Sequence, residues 1–493
     1  MTKRRQLLPV VLLWLTGLMA GCESPRQDAI VFAIATAPVT LHPLHASDAV
    51  SERINALIYR PLVEFDQAQR PLPGMVDWER VSPKHYRLRL RSDIQSFSNG
   101  SLPSLKDLEA TIRHAGSDPR SPHATTLSHV RSLTVRDNAF VDVHLSRPDP
   151  RFPEKLHLGL APATKLAGNT LARAPVGNGE FILESWDAQN TITLRRSDGQ
   201  LLRFEVVADP TMRVLKLMRG EVHVLQNDLP YELYPMLQEH AGMSLQANQG
   251  TTFAYLGFNL DDPLTGDRRV RQAIAHAVNR KRFVKYLFQG HAQTANTLLR
   301  PEHWAAHSGL PEYTYDPERA KALLGEMGYD GANPLRLSYK TSTDPFRLRI
   351  AAALQAQLAE VGIHMDIQSY EWGTFFADIK EGRFQMYSLS WVGIRSPDIF
   401  RYVYHGESLP PRGANRGRYR SARVDALIDD ADRLPADRAA GLYRQAQALI
   451  HQDLVYVPLW HENNLLLTRG VESPGPSING SYNFLEQVSL RHE

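Results

Sequence analysis

The most constraining stretch of this sequence is a helical stripe that stops on a glycine and passes at once into a strand. Ile350, Leu354, Leu358 and Val361 recur at helical spacing, Gly362 follows, and Ile363-His364-Met365-Asp366-Ile367 then alternates with period two. A chain that switches period within one residue must pack the helix back on the sheet that receives the strand. The pattern therefore predicts an α/β fold.

The rest of the chain repeats the alternation of periods. Asp316 and Pro317 form a helix start, Ala320, Leu323, Leu324 and Met327 its stripe, and Gly328 its stop. Val270, Ile274, Ala277, Val278 and Leu287 predict one helix from Arg268 to Phe288. Strands are expected at Ile30–Ala35, Ile192–Arg195, Leu202–Val207, Thr252–Phe258, Leu335–Tyr339 and Ile363–Ser369. In His85-Tyr86-Arg87-Leu88-Arg89-Leu90-Arg91, apolar and charged residues alternate, so Arg87, Arg89 and Arg91 read as the solvated face of a half-buried strand. The 493 residues exceed what one hydrophobic core usually holds, roughly 250–300. Two or more lobes joined by short crossovers are expected.

Charge and cysteine usage point to the amino terminus. Residues 1–21 hold Lys3, Arg4 and Arg5 and no acid; without them 53 bases face 53 acids, and the +3 formal charge disappears. Bulk charge therefore gives no argument for a nucleic-acid partner. Leu7–Ala20 is apolar but too short for an ordinary spanning helix of about 20 residues, and it reads as a secretory signal. It runs into Met19-Ala20-Gly21-Cys22, which resembles a bacterial lipoprotein cleavage box with Met19 where leucine is usual. Cys22, the only cysteine, is then the lipidation site; the alternative is ordinary cleavage that leaves a free thiol. One cysteine excludes an internal disulfide and a cysteine-rich zinc site.

Motifs for covalent chemistry are missing: there is no phosphate-binding loop, Gly-x-Gly-x-x-Gly, Gly-x-Ser-x-Gly or His-Glu-x-x-His. His303 and His307 stand one helical turn apart, but no local acid or cysteine completes a metal site. That pair, His42 with His45, and His461 with Glu462 are expected on solvated surface. No catalytic residue, metal or cofactor is assigned.

An ordered series of segments resembles the family 5 extracellular solute-binding proteins, the dipeptide, oligopeptide and nickel receptors of ABC importers. Thr40-Leu41-His42-Pro43-Leu44, Ile58–Glu64, Ser96-Phe97-Ser98-Asn99-Gly100 and Val176-Gly177-Asn178-Gly179-Glu180-Phe181 come first. Gly257-Phe258-Asn259, Arg269–Ile274, Tyr315–Leu324, Gln357–Ile363, Trp391-Val392-Gly393, Asn415–Tyr419 and Val455–Leu459 follow. The resemblance implies a periplasmic binding protein-like fold of the large two-lobe type with an additional small domain. Residues 22–29 would be a lipid-anchored linker, 30–59, 170–255 and 462–493 a discontinuous first lobe, 60–169 the small domain, and 256–461 the second lobe.

It also implies a monomeric, non-enzymatic receptor in a bacterial envelope, facing the periplasm or exterior. Such a receptor takes a peptide or similar small solute between closing lobes and passes it to an ABC permease and its ATPase. The alternative is a lipoprotein of the same fold that senses a ligand or binds a partner. In peptide-binding relatives an aspartate after the tryptophan pairs with the ligand's ammonium group; here Ile394 holds that place and Arg395 follows. Arg395 suggests an anionic ligand, unless it pairs with Asp398. Trp391 is a candidate cleft wall. Lys340 is the base available in the turn Tyr339–Pro345, where dipeptide receptors tend to carry an arginine. Phe97, Tyr255, Asn259, Trp372 and Tyr387 are wall candidates that could equally be packing.

Overall fold

The computed structural model describes residues 29–187 and 191–491. The signal segment and Cys22 lie outside the described residues. One mixed sheet organises the chain, in the order Ile363–Tyr370, Leu335–Ser342, Met386–Trp391, Met243–Phe258, Tyr456–Arg469, Val224–Gln226, Ile30–Ile34, Leu201–Val206, Ile192–Arg196 and Phe181–Trp186. Ala292–Thr294 adds beside Tyr456–Arg469.

Two long central strands tie the halves of this sheet together. Met243–Phe258 runs antiparallel to Tyr456–Arg469, from Met243 opposite Arg469 to Gly257 opposite Tyr456, with register shifts between Gln249 and Phe253 and between Ala254 and Tyr255. Only Thr252–Phe258 was expected as strand. The polar residues Ser244, Gln246 and Asn248 and the glycine at 250 hide the first half, because a sheet strand is usually more apolar and glycine weakens it. Gly250 is there for close approach: a Cβ would sit 2.4 Å from the Glu462 carbonyl oxygen.

Each half of the sheet is covered on both faces. Toward the amino terminus, Ile30, Phe32 and Ile34 face a core shared with helix Ala49–Ile58, while Val31 and Ala33 face Val214 and Leu217 of helix Pro210–Arg219. Toward the other end, Ala254, Leu256 and Phe258 pack with Ile350, Leu354 and Leu358, and Phe253 and Tyr255 pack with Val424, Ile428 and Tyr443. Period two in the strands thus feeds two separate helical layers. A second, four-stranded antiparallel sheet is formed by Val76–Ser82, His85–Leu90, Phe140–Leu145 and Val130–Arg136. Its inward residues Tyr86, Leu88, Val141 and Val143 belong to the same core as Ile30 and Phe32. On its other side Arg87 lies 3.4 Å from Asp142, and Arg91 donates to Asp93, while Arg89 is exposed.

The helix expected from Arg268 to Phe288 is two helices, Arg268–Ala277 and Arg280–Tyr286. Val278 is extended, and the Asn279 side chain accepts from the Arg282 amide. Asparagine competes with a helix interior but caps well, and this local bond decides the break. Helix Pro345–Ala359 forms as its stripe indicates, capped by Asp344 and followed by Gly362 at φ 88° and the strand Ile363–Tyr370. In the turn around Val176, a Cβ on Gly177 would fall 2.0 Å from the Ile58 carbonyl oxygen, so only glycine lets this turn lie on the end of helix Ala49–Ile58. No helix among the described residues is long and apolar enough to cross a membrane.

Candidate functional site

Three strands of the second half end together. Leu335–Ser342 is parallel to both Ile363–Tyr370 and Met386–Trp391, so their carboxyl ends form one edge from which Thr343, Glu371 and Val392 depart. Such edges are where open α/β sheets take ligands, because the backbone leaves the sheet there and the connecting loops diverge.

Trp391 closes the last of these strands and is half-buried. Its ring lies near-parallel to Tyr255 at 6.3 Å and edge-on to the exposed Tyr402 at 6.1 Å. The Arg416 guanidinium sits over Trp391 at 4.6 Å and over Phe376 at 5.1 Å, while its Nη1 donates to the Tyr255 hydroxyl at 3.2 Å. Trp372, 53% exposed, lies parallel to Phe376 at 5.4 Å. Trp372, Phe376, Arg416 and Trp391 therefore form a continuous aromatic and cationic ladder along the edge.

The loop after Trp391 crosses to the opposing half. Arg395 Nη2 lies 3.5 Å from Glu52 of helix Ala49–Ile58. Ser396 donates to Glu154 at 3.1 Å, and Arg151 is bound to both Asp398 and Asp432. Burial pushes the Glu154 carboxyl up to about 7. Asp398 starts the helix Asp398–Tyr404, which turns it toward Arg151; Arg395 lies upstream in the bend and faces Glu52 instead. The alternative pairing of Arg395 with Asp398 is not formed. Ile394, 8% exposed, lines a narrow cavity of about 20 Å³ with Leu298, Leu299, Thr251, Gln69 and Ile478, together with Arg300, Glu302 and His303.

The remaining candidates fall into two groups. Lys340 belongs to the strand Leu335–Ser342, which runs three residues further than expected, and its ammonium lies 2.6 Å from Asp378 and over the Tyr370 ring at 5.2 Å. Lys340 and Arg383 hold the Asp378 carboxyl below its usual range. Phe97, Tyr255 and Tyr387 are buried, and Asn259 spends its side chain on the Gly382 carbonyl and the Asp261 amide. Of these four, only Tyr255 reaches the ladder, through its ring beside Trp391 and its hydroxyl on Arg416.

Three of the paired histidines, His42, His303 and His461, are buried rather than on solvated surface, while His45 and His307 are half-buried. His303 is buried in a turn, not a helix; its Nδ1 accepts from the Ala305 amide and its Nε2 lies 3.1 Å from the Arg395 carbonyl. His42 is buried and stacks on His45 at 3.7 Å, and His461 is buried at the crossover. Burial lowers His42, His303 and His461 to about 4 each. Sequence reading also missed His85, Asp142 and His144, which two adjacent strands bring together. Arg87 and Arg136 already lie within 3.6 Å of Asp142, and their charge opposes a cation there. Arg416 was missed as well, since it sits 25 residues from Trp391 in a loop whose path only the fold supplies.

Comparison with known proteins gives a consistent picture. The family model described as bacterial extracellular solute-binding proteins, family 5 Middle, matches residues 71–408. The dipeptide-binding protein of Escherichia coli (strain K12) is 26% identical over 483 residues, covering 88% of this chain and 89% of that protein. The glutathione-binding protein GsiB of Escherichia coli (strain K12) is 25% identical over 476 residues, covering 90% and 91%. The crystal structure of NikA from Brucella suis in complex with Fe(III)-EDTA superposes with a TM-score of 0.83 at 22% identity, covering 94% of this chain and all of that one. At that identity the likeness speaks for the fold.

Proposed function

Because the chain belongs to the bacterial extracellular solute-binding proteins of family 5, we propose that it captures a small organic solute between its two lobes and delivers it to an ABC permease driven by its ATPase. In this reading the protein performs no covalent chemistry, acts as a monomer outside the cytoplasm, and is held to the membrane by acyl chains on Cys22. Two or more acyl chains hold a protein stably where one does not. The lobes are assigned as 30–59 with 170–255 and 462–493, and 256–461, with 60–169 as the small domain.

The observation that carries the proposal is the pair of long strands, Met243–Phe258 and Tyr456–Arg469, whose register shifts fall beside the boundaries assigned above at 255/256 and 461/462. A shift in register interrupts the ladder and leaves a place to bend. Beside it stand the Trp391 edge on one side and Glu52 on the other, so rotation about the two strands would open and close the space between them. Purification of the processed protein followed by native mass spectrometry tests this. A released small molecule is expected; a chain that carries none and binds no solute contradicts it.

A further inference from the structure

Arg151 is anchored in one core and paired with another. Its segment belongs to the first: the Leu62 and Val63 amides donate to the Leu158 and Leu156 carbonyls, and Phe152, Leu156 and Leu158 pack with Ile30 and Phe32. The helices that meet it, Asp398–Tyr404, Ala422–Asp432 and Ala436–Asp453, send Phe400, Ile428 and Tyr443 into the core of Phe253 and Tyr255. Among the described residues the two cores share no buried side chain. Arg151 spans the boundary with polar contacts. Its Nη2 donates to Asp398 and, at 3.0 Å, to Asp432, and its guanidinium lies 5.3 Å from the centre of the Tyr443 ring. Beside it the Glu154 carboxylate accepts from the Ser396 hydroxyl.

The partners divide unequally. Among the described residues, both carboxylates within 4 Å of Arg151 lie across the boundary, while Asp149 on its own side is taken by His129 and Lys155. Asp432 also holds Arg401 at 2.6 Å and the Tyr443 hydroxyl at 2.5 Å, and Asp398 is 40% exposed. If the boundary parted, Arg151 would pass into water, Asp432 would keep its other partners and Asp398 would be hydrated. No charge would be left buried and alone, so the contact can be broken and remade. While it is made, Arg151 is 5% exposed and is screened far less than the pair of Arg395 and Glu52. The loop 392–397 joins Asp398 to Trp391, which ties the contact to the candidate site.

We infer that Arg151 is a closing latch, a cation carried by the small domain that engages Asp398 and Asp432 of the second lobe when the lobes meet around a solute. This rests on the receptor reading and the lobe assignment above, and adds the group that holds the closed form. Removing the cation shifts the balance toward the open form without touching the solute.

Pulsed electron paramagnetic resonance tests it on the processed chain carrying Cys22→Ser, with spin labels on Lys106→Cys and Arg423→Cys, two exposed positions on either side of the boundary. The protein is stripped by partial unfolding and titrated with the small-molecule fraction it released. The parent distance should shorten. Arg151→Met and Asp398→Asn should each need roughly threefold more of that fraction, or more, for half-closure, and Arg151→Lys should restore part of the difference. Adding Asp398→Asn to Arg151→Met should change little further, since the cation is already gone. A residue that only supports the fold would lower the melting temperature and leave half-closure where it was. A parent that closes, with half-closure unaltered in the folded variants, overturns the latch and leaves the receptor reading standing. A parent that releases nothing, or keeps one distance throughout, contradicts both. If Arg151→Met does not fold, Asp398→Asn decides, because its site is already in contact with water.

Discussion

The Arg395 guanidinium lies 3.5 Å from the Glu52 carboxylate, joining the loop that follows Trp391 to helix Ala49–Ile58, more than three hundred residues away in sequence. Glu52 is 63% exposed and Arg395 25%, so water and salt screen most of their attraction. A contact so screened costs little to make or break. The neighbouring bridge from Arg151 to Asp398 and Asp432 is different in kind, since Arg151 is 5% exposed and both of its acids come from distant parts of the sequence.

Glu52→Gln should alter solute affinity by less than roughly fivefold, matching the ~0.2–1 kcal/mol of an exposed ion pair. The effect should disappear in high salt. Calorimetric titration of the variant at low and high ionic strength reads both.

Arg151→Met should cost stability, on the order of 1–3 kcal/mol, because Asp398 loses the cation it faces while Asp432 keeps Arg401 at 2.6 Å. Urea unfolding measures the loss. A change below about 1 kcal/mol would show that the two aspartates rearrange into water at little cost.

Trp391→Ala should weaken solute binding roughly tenfold or more, since it removes the face on which Arg416 rests. Trp391 is half-buried and closes a strand, so the fold should survive. Arg395→Ala should weaken binding less, acting through closure. Unchanged affinity in both variants would move the site elsewhere.

Acid should destabilise the protein before its carboxylates protonate. His42, His157, His303 and His461 are each lowered to about 4, chiefly by burial, from an ordinary 6.5. Between those values the unfolded chain takes up protons that the folded chain refuses, so stability is lost as pH falls from 6.5 toward 4, by about 1–3 kcal/mol per histidine. Glu154, pushed up to about 7 by burial, acts in the opposite direction. Its contribution is full below its ordinary 4.5 and is lost as pH rises toward 7. Four histidines outweigh it, and a lower urea midpoint at pH 4.5 than at pH 7 is expected. Glu154→Gln should raise the midpoint at pH 7 and steepen the fall.

Local patterns in this sequence report local structure well. The stripe Ile350–Val361 and the strand at Ile363 are where their periods put them, and Tyr86 and Leu88 are buried while Arg87 and Arg89 are not. What local pattern does not carry is pairing between distant segments. The Met243–Gly250 half of the central strand reads as polar because its partner, Tyr456–Arg469, supplies the ladder from two hundred residues away. Trp391 stands out as an aromatic at a strand end, but Arg416 and Glu52 become neighbours of its loop only through the fold. The histidines mislead for the same reason: a polar side chain reads as surface until its buried partner, such as the Arg395 carbonyl beside His303, is in place.

Small-angle X-ray scattering on the processed protein, first stripped of ligand by partial unfolding and then returned to its own released small-molecule fraction, tests the two-lobe receptor directly. Rotation about the two central strands requires a smaller radius of gyration after the fraction is restored. No released molecule together with an unchanged radius would contradict it.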